Sequence, residues 1–356
     1  MSKGRLLDSE QETKFGVEIR QDLERALVGQ SEAVNYYVQL VEKYKSGLYE
    51  TGRPIGAILE TGPTGSGKTY AAETFFESLQ PRVDRSWKKN MLRIDCGEFQ
   101  HSHEIAKLIG SPPGYLGHRE THPMLSKERI ASLQIMVEYP FAGIVFDEIE
   151  KASDSLWNLL LAVLDKGSIS LGTNEQVDLS QTVIIMTSNA GFSNRKDDLG
   201  FLPPSLLDSE ETKRIGLEAA KRKFSVEFIN RLDAVVAFNV LSKQQIATIL
   251  KLELGKLQIE VFAKCGTVLF SVTRAAQKVL LEEGYDSKYN ARHIKRVINQ
   301  RLRLPLARIV GQVQSTEGVL VDFENDKLTF RALPKTSNNL VIHGTANDKE
   351  DILCTM

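Results

Sequence analysis

The apolar residues of this chain come in two rhythms, short unbroken runs and longer stretches in which they recur every three or four positions. Val17, Ile19, Leu23 and Leu27 give residues 17–27 a loose helical spacing that ends at Val28-Gly29-Gln30, and a second helix is expected over roughly 31–46. Ile55-Gly56-Ala57-Ile58-Leu59 is a compact apolar run of the kind a buried strand needs, so 55–61 reads as a strand feeding a helix that opens at Lys68-Thr69. The pattern repeats at 91–95, 144–148, 182–187 and 234–238. Short strands interleaved with helix-length segments predict a parallel sheet in an α/β domain that closes near residue 240, after a polar, Pro-containing stretch at 193–213 and a helix.

Beyond residue 240 the rhythm becomes helical. Ser242 and Gln245 have the spacing of a capping box, and Ile246, Ile249, Leu250, Leu254, Leu257 and Val261 follow at steps of three and four. Helices at about 273–283 and 291–312, with short strands near 267–271 and 318–330, complete a smaller, mostly helical domain. The expected division is a leader at 1–19, a large domain at 20–240, a small domain at 241–331 and a polar, aperiodic and hence disordered tail at 332–356.

Composition narrows the class. With 356 residues, 42% of them hydrophobic, the chain has material for about two globular cores. A formal net charge of −1 provides no global field for nucleic acid or an anionic membrane. Cys96, Cys265 and Cys354 stand far apart, which argues against a disulfide framework or structural zinc and fits a reducing cytoplasm. Neither a secretory h-region nor a membrane-length apolar stretch is present, so the expected location is cytoplasmic.

The most informative motif is Gly62-Pro63-Thr64-Gly65-Ser66-Gly67-Lys68-Thr69, a complete G-x-x-x-x-G-K-[ST] element between a strand and a helix. Its glycines free the backbone to curl N–H groups around phosphate oxygens, Lys68 reaches the β/γ-phosphates, and Thr69 offers a hydroxyl to Mg²⁺. The chain is therefore expected to bind ATP. Ile144-Val145-Phe146 ends in Asp147-Glu148, where Asp147 is suited to the Mg²⁺ shell and Glu148 to polarising an attacking water.

The segments VGQSEAV, RPIGAILETGPTGSGKT, LIGSPPGYLGH, IVFDEIEKA, VIIMTSNAG, FINRLDAVVAF and GYDSKYNARHIKRVI resemble, in this order, the AAA+ module of the Clp chaperone-unfoldases, specifically the second ATPase module of the ClpA, ClpB and ClpC group. The resemblance covers roughly 20–330. It implies an αβα sandwich with a five-stranded parallel sheet followed by a small helical domain, and an ATPase that works as a homo-oligomeric ring, a hexamer, on protein substrates. Val28 and Gly29 would contact adenine, Asn189 would be sensor 1, Arg231 the finger offered to the neighbouring subunit, and Arg292 sensor 2. A guanidinium supplied in trans would make hydrolysis depend on assembly. The alternative for Arg231 is a salt bridge to Asp233 or another surface carboxylate, and for Arg292 a place on a solvated helix face. Tyr115, in Gly110–Gly117, corresponds to the aromatic that grips a threaded chain in the ring's channel. Leu199-Gly200-Phe201 has the form of the tripeptide with which some members dock on a barrel-shaped peptidase.

Some positions depart from the family pattern. His118–Leu125 replaces an acidic and Gly-Gly-Gln-Leu segment, Ser225 and Asn290 stand where arginine and glycine are usual, and Glu60 is an unusual acid in the strand before the phosphate loop. The sequence starts at Met1 about twenty residues before the fold, from which a single-module member is expected rather than a fragment. Two other readings stay open: an ATP-driven assembly switch with little unfolding activity, and a nucleic-acid remodeller using the seven basic residues of 288–308.

Overall fold

The computed structural model describes residues 8–80, 88, 90–112, 114, 122–134, 136, 138–192, 209–265, 269–286, 290–314 and 316–335. Described residues up to 239, apart from 64–66, form one compact unit, and residues 64–66 with those from 240 onward form a second.

The first unit opens with helices α1 (Lys14–Ala26) and α2 (Ser31–Lys45). Thr13 caps α1 by accepting a hydrogen bond from Gly16 N at 3.1 Å. Between the helices, Gly29 adopts φ 75°, and the Gln30 amide bonds both backbone groups of Asn239, donating to its O at 3.1 Å and accepting from its N at 2.8 Å. Then come β1 (Gly56–Thr61), α3 (Lys68–Ser78), β2 (Met91–Asp95), two short helices α4 (Ala106–Ile109) and α5 (Lys127–Leu133), and β3 (Ala142–Asp147). Helix α6 (Asp154–Lys166), a hairpin of β4 (Ser168–Ser170) and β5 (Gln176–Asp178), β6 (Thr182–Ser188), α7 (Ser209–Lys223), α8 (Val226–Asn230) and β7 (Ala234–Ala237) follow. Helix α7 begins inside the stretch read from sequence as polar loop.

The five long-range strands form one parallel sheet in the order β2-β3-β6-β1-β7. Every residue of β1, β3 and β6 is buried, as expected of parallel strands covered on both faces. Alternation divides their side chains between two cores. Leu59, Ile144, Phe146 and Met186 pack on one face with Leu160, Val163 and Phe228, while Ile58, Val145 and Ile185 pack on the other with Tyr37, Phe75 and Phe76. Each such side chain contributes roughly 1.5–3 kcal/mol by leaving water. This is the αβα sandwich implied by the family resemblance, and it sets the C-terminal ends of β3, β6 and β1 side by side.

In the second unit, Ser242 and Gln245 make both arms of the capping box, at 2.8 and 3.2 Å, ahead of α9 (Lys243–Cys265). Ile246, Leu250, Leu254 and Leu257 bury one stripe of α9 against β8 (Phe270–Val272), α10 (Arg274–Gly284) and α11 (Ala291–Ile298). The stretch 291–312 is not one uniform helix. A π-turn at Asn299–Arg303 separates α11 from α12 (Leu304–Ile309), next to Pro305, which has no N–H to continue the regular ladder. Strands β9 (Glu317–Glu324) and β10 (Lys327–Pro334) pair across Asn325-Asp326, both left-handed, at φ 50° and 59°. Because Pro334 is still in register with Glu317, structure continues past the expected boundary at 332.

Candidate nucleotide site

The phosphate loop leaves β1 through backbone that only glycine accommodates well. Gly62 has φ 155°, and a Cβ there would stand 2.6 Å from the Phe238 carbonyl oxygen. Gly67, at φ 105°, is the left-handed residue from which α3 starts, and a Cβ on it would meet open space. Helix α3 thus presents its first N–H groups at the loop, an arrangement suited to phosphate.

Lys68 is buried at the first position of α3. Its Nζ donates to Gly62 O at 2.8 Å, Pro63 O at 3.0 Å and Asn189 Oδ1 at 2.8 Å. Burial pushes the ammonium down to about 8, opposed by the neighbouring acids Glu60, Glu150, Asp147 and Glu148. It is therefore a desolvated cation at neutral pH. The Asn189 amide in turn donates from Nδ2 to Glu148 Oε1 at 3.2 Å. A cation on one side and a carboxylate on the other fix which way the amide points.

Asp147 and Glu148 leave β3 in different directions. Asp147 ends the strand, whereas Glu148, expected within it, turns left-handed at φ 57° and stops it. Thr187 of β6 ties the two together, accepting from Glu148 N at 3.0 Å and donating to Asp147 Oδ1 at 2.5 Å. The Thr69 hydroxyl also reaches Asp147 Oδ1, at 3.0 Å. Burial works against ionisation of Asp147, but the Thr187 hydrogen bond, the Arg93 guanidinium and Thr69 outweigh it and hold the carboxyl below the usual range. A hydroxyl and an ionised carboxylate in contact are the hard oxygen donors Mg²⁺ prefers, so Thr69 and Asp147 fit that ion. Glu148 is also ion-paired with Lys151.

The structure thus joins Lys68, Thr69, Asp147, Glu148 and Asn189 in one hydrogen-bonded cluster. Arg231 shares no bond with it among the described residues. Its guanidinium pairs with Asp165 at the end of α6, and its carbonyl accepts from Arg53 Nη2 at 2.9 Å. The alternative partner Asp233 is engaged elsewhere, accepting from Ala57 N at 2.6 Å. Arg292 is exposed on α11 of the second unit. Val28 and Gly29 lie in the turn that Gln30 pins to Asn239. Tyr115 and Leu199-Gly200-Phe201 lie outside the described residues. In the basic stretch, Lys295, Arg301 and Arg303 pair with Glu253, Glu283 and Glu260, which occupies cations that a phosphate backbone would need.

Sequence reasoning did not pick out Thr187, Arg93, Glu150 or Gln30. Glu150 Oε1 accepts from Asn189 N at 3.0 Å and so fixes the backbone that carries the amide. A polar residue at the end of an otherwise apolar strand was the available signal for Thr187, and a lone charge inside Met91–Asp95 the signal for Arg93.

A glycine-rich loop between β1 and α3, facing acids at the end of β3 and an amide after β6, defines a P-loop nucleotide-binding protein of AAA+ architecture. Residues 53–235 match the family model described as AAA domain (Cdc48 subfamily), and residues 241–322 match that of the C-terminal, D2-small domain, of ClpB protein. The chain belongs to the Clp-type AAA+ ATPases. It is 35% identical over 333 residues to chaperone protein ClpB of Meiothermus ruber, covering 93% of this chain and 36% of that protein. To the ATP-dependent Clp protease ATP-binding subunit ClpC of Staphylococcus saprophyticus it is 33% identical over 326 residues, covering 91% and 38%. A closed-state cryoEM reconstruction of Hsp104 with ATPyS and FITC casein superposes with TM-score 0.73 at 27% identity, over 92% of this chain and 53% of that one. The chain spans little more than a third of the length of the ClpB and ClpC relatives. Among the described residues, no helix is long and apolar enough to cross a membrane.

Proposed function

We propose that this protein hydrolyses ATP with Mg²⁺ and, assembled as a hexameric ring, uses the turnover to thread or remodel protein substrates. The observation that carries the reading is the cluster in which Asn189 bridges Lys68 and Glu148 while Thr187 bridges Asp147 and Glu148. The loop N–H groups that follow Pro63, together with Lys68, bind the phosphates, with Val28 and Gly29 beside the base. Thr69 and Asp147 would hold Mg²⁺, which neutralises charge on the phosphate oxygens. Glu148 accepts the proton of the attacking water, and the Asn189 amide orients that water. Arg231 of one subunit would complete its neighbour's site, and Arg292 would serve its own. Tyr115 would grip the threaded chain through its aromatic face, which adds contact area without demanding a particular side chain. The presence of casein in the Hsp104 reconstruction supports a polypeptide as substrate. Residues 199–201 are the segment to test for a peptidase partner.

Glu148→Gln is the decisive variant. It should keep ATP affinity and lose steady-state hydrolysis; undiminished turnover would sink the assignment. A second reading, a nucleotide-driven assembly switch, is favoured by the ion pairs that hold Glu148 to Lys151 and Arg231 to Asp165. Tyr115→Ala separates the two, since a threading ring would lose substrate processing with basal ATPase intact, whereas a switch would be indifferent.

A further inference from the structure

Arg93 touches none of the nucleotide-binding loop, yet it reaches the acid at the centre of the site. In the parallel register Asp95 lies opposite Asp147, and Arg93, two residues earlier, projects from the same face. Its Nη2 donates to Asp147 Oδ2 at 2.5 Å, and its Nη1 lies 3.4 Å from Glu73 Oε1, one helical turn along α3 from Thr69. The two oxygens of Asp147 are thereby divided. Oδ2 belongs to the guanidinium, and Oδ1 receives Thr69 and Thr187.

This division has a consequence for geometry. The terminal torsion of an aspartate is broad and roughly two-fold, so the backbone alone does not choose which oxygen faces α3. The guanidinium makes that choice from the opposite side to the two hydroxyls. It also lies between two acids, Glu73 and Asp147, that would otherwise repel each other across the gap between α3 and β3. Half of the Arg93 side chain is exposed, so its contribution to folding is small, and its effect is concentrated on the carboxylate it holds.

We infer that Arg93 is a positioning residue for divalent-cation binding: it turns and fixes the Asp147 carboxylate so that Oδ1 meets the cation beside Thr69. The inference rests on the proposed role of Asp147 as the acid of the Mg²⁺ shell. Residues that orient a metal ligand typically change metal affinity about 10- to 100-fold when removed, and the exposure of Arg93 puts it at the lower end.

The test is binding of Mn²⁺, followed by electron paramagnetic resonance in the presence of a slowly hydrolysed ATP analogue, on the full chain and its Arg93→Ala, Arg93→Lys and Asp147→Asn variants. Nucleotide affinity is measured separately in EDTA. Arg93→Ala should weaken Mn²⁺ binding about tenfold with metal-free nucleotide affinity unchanged, and Arg93→Lys should recover part of the loss. Unchanged or tighter Mn²⁺ binding in Arg93→Ala, with Asp147→Asn impaired, would overturn the role of Arg93 and leave the site reading standing. Loss of nucleotide affinity in EDTA would make Arg93 a structural residue and overturn the role as well. If Asp147→Asn itself binds Mn²⁺ normally, the reading of the site fails first.

Discussion

Replacing Glu60 by glutamine should make the first unit more stable at neutral and alkaline pH and remove most of a slope in its pH dependence. Glu60 sits in β1, fully buried, with Oε1 accepting from the Tyr37 hydroxyl at 2.6 Å and Oε2 without a partner. Burial raises its carboxyl from the ordinary 4.5 to about 8, in spite of the Tyr37 hydrogen bond and nearby Lys68, with Asp147 adding to the rise. The folded chain therefore holds a proton that the unfolded chain releases above 4.5. Stability is full below about 4.5 and falls as pH rises through 8, losing about 1.4 kcal/mol per pH unit, or roughly 5 kcal/mol in all. Glutamine keeps the oxygen that Tyr37 needs and cannot ionise. Between pH 5.5 and 7.5 the stability of Glu60→Gln relative to the parent should rise by roughly 3 kcal/mol, about 1 M in a urea midpoint. Trp157 packs on the first unit's core from α6, so nucleotide-free urea titrations read by tryptophan fluorescence follow this unit. Lys68 shifts in the opposite sense only above about 8, outside that window. Parallel pH profiles for the two proteins would refute the buried, protonated Glu60.

Other expectations follow from the same contacts. Thr187→Val removes the hydroxyl shared by Asp147 and Glu148, worth about 1.5–3 kcal/mol for a bond to a charged group, so single-turnover hydrolysis should slow at least tenfold with ATP affinity retained. Gly62→Ala drives a Cβ against the Phe238 carbonyl and should cost about 1–3 kcal/mol, visible as a melting temperature several degrees lower, together with weaker nucleotide binding. Arg231→Ala should abolish hydrolysis while sparing nucleotide affinity, and Asp165→Asn, which frees the guanidinium, should not lower hydrolysis; equal losses in both would reduce Arg231 to a structural ion pair.

What could be read from the sequence was whatever is local in it. The phosphate loop is a fixed spacing of eight residues, and the acids 147–148 follow an apolar run, so both were legible before any fold was known. The partners of those residues depend on strand register. Thr187 matters because β6 lies beside β3, and Arg93 because β2 lies on the other side of β3. The pairing of Arg231 shows the same limit. Asp233 is nearer in sequence, but the backbone of β1 claims it, leaving Asp165 from α6. The hairpin β4–β5 and the helices α4 and α5 were missed because they are too short to show a period, whereas α6 was legible, with Leu156, Leu160, Val163 and Leu164 at helical spacing, and was passed over. Residues 332–334, Ala-Leu-Pro, read as tail because the polar stretch begins directly after them and their pairing is one that only β9 supplies.

The bridge made by Asn189 has a further meaning for how the site reports its contents. Its oxygen occupies one of the three acceptor positions around Lys68 Nζ, which an arriving phosphate oxygen must share or take. Whatever displaces that oxygen loosens the same amide's grip on Glu148. Nucleotide occupancy is then expected to register as an exchange of partners within a single side chain. A nitrogen-15 label on that one amide would serve as a gauge of whether the site is filled.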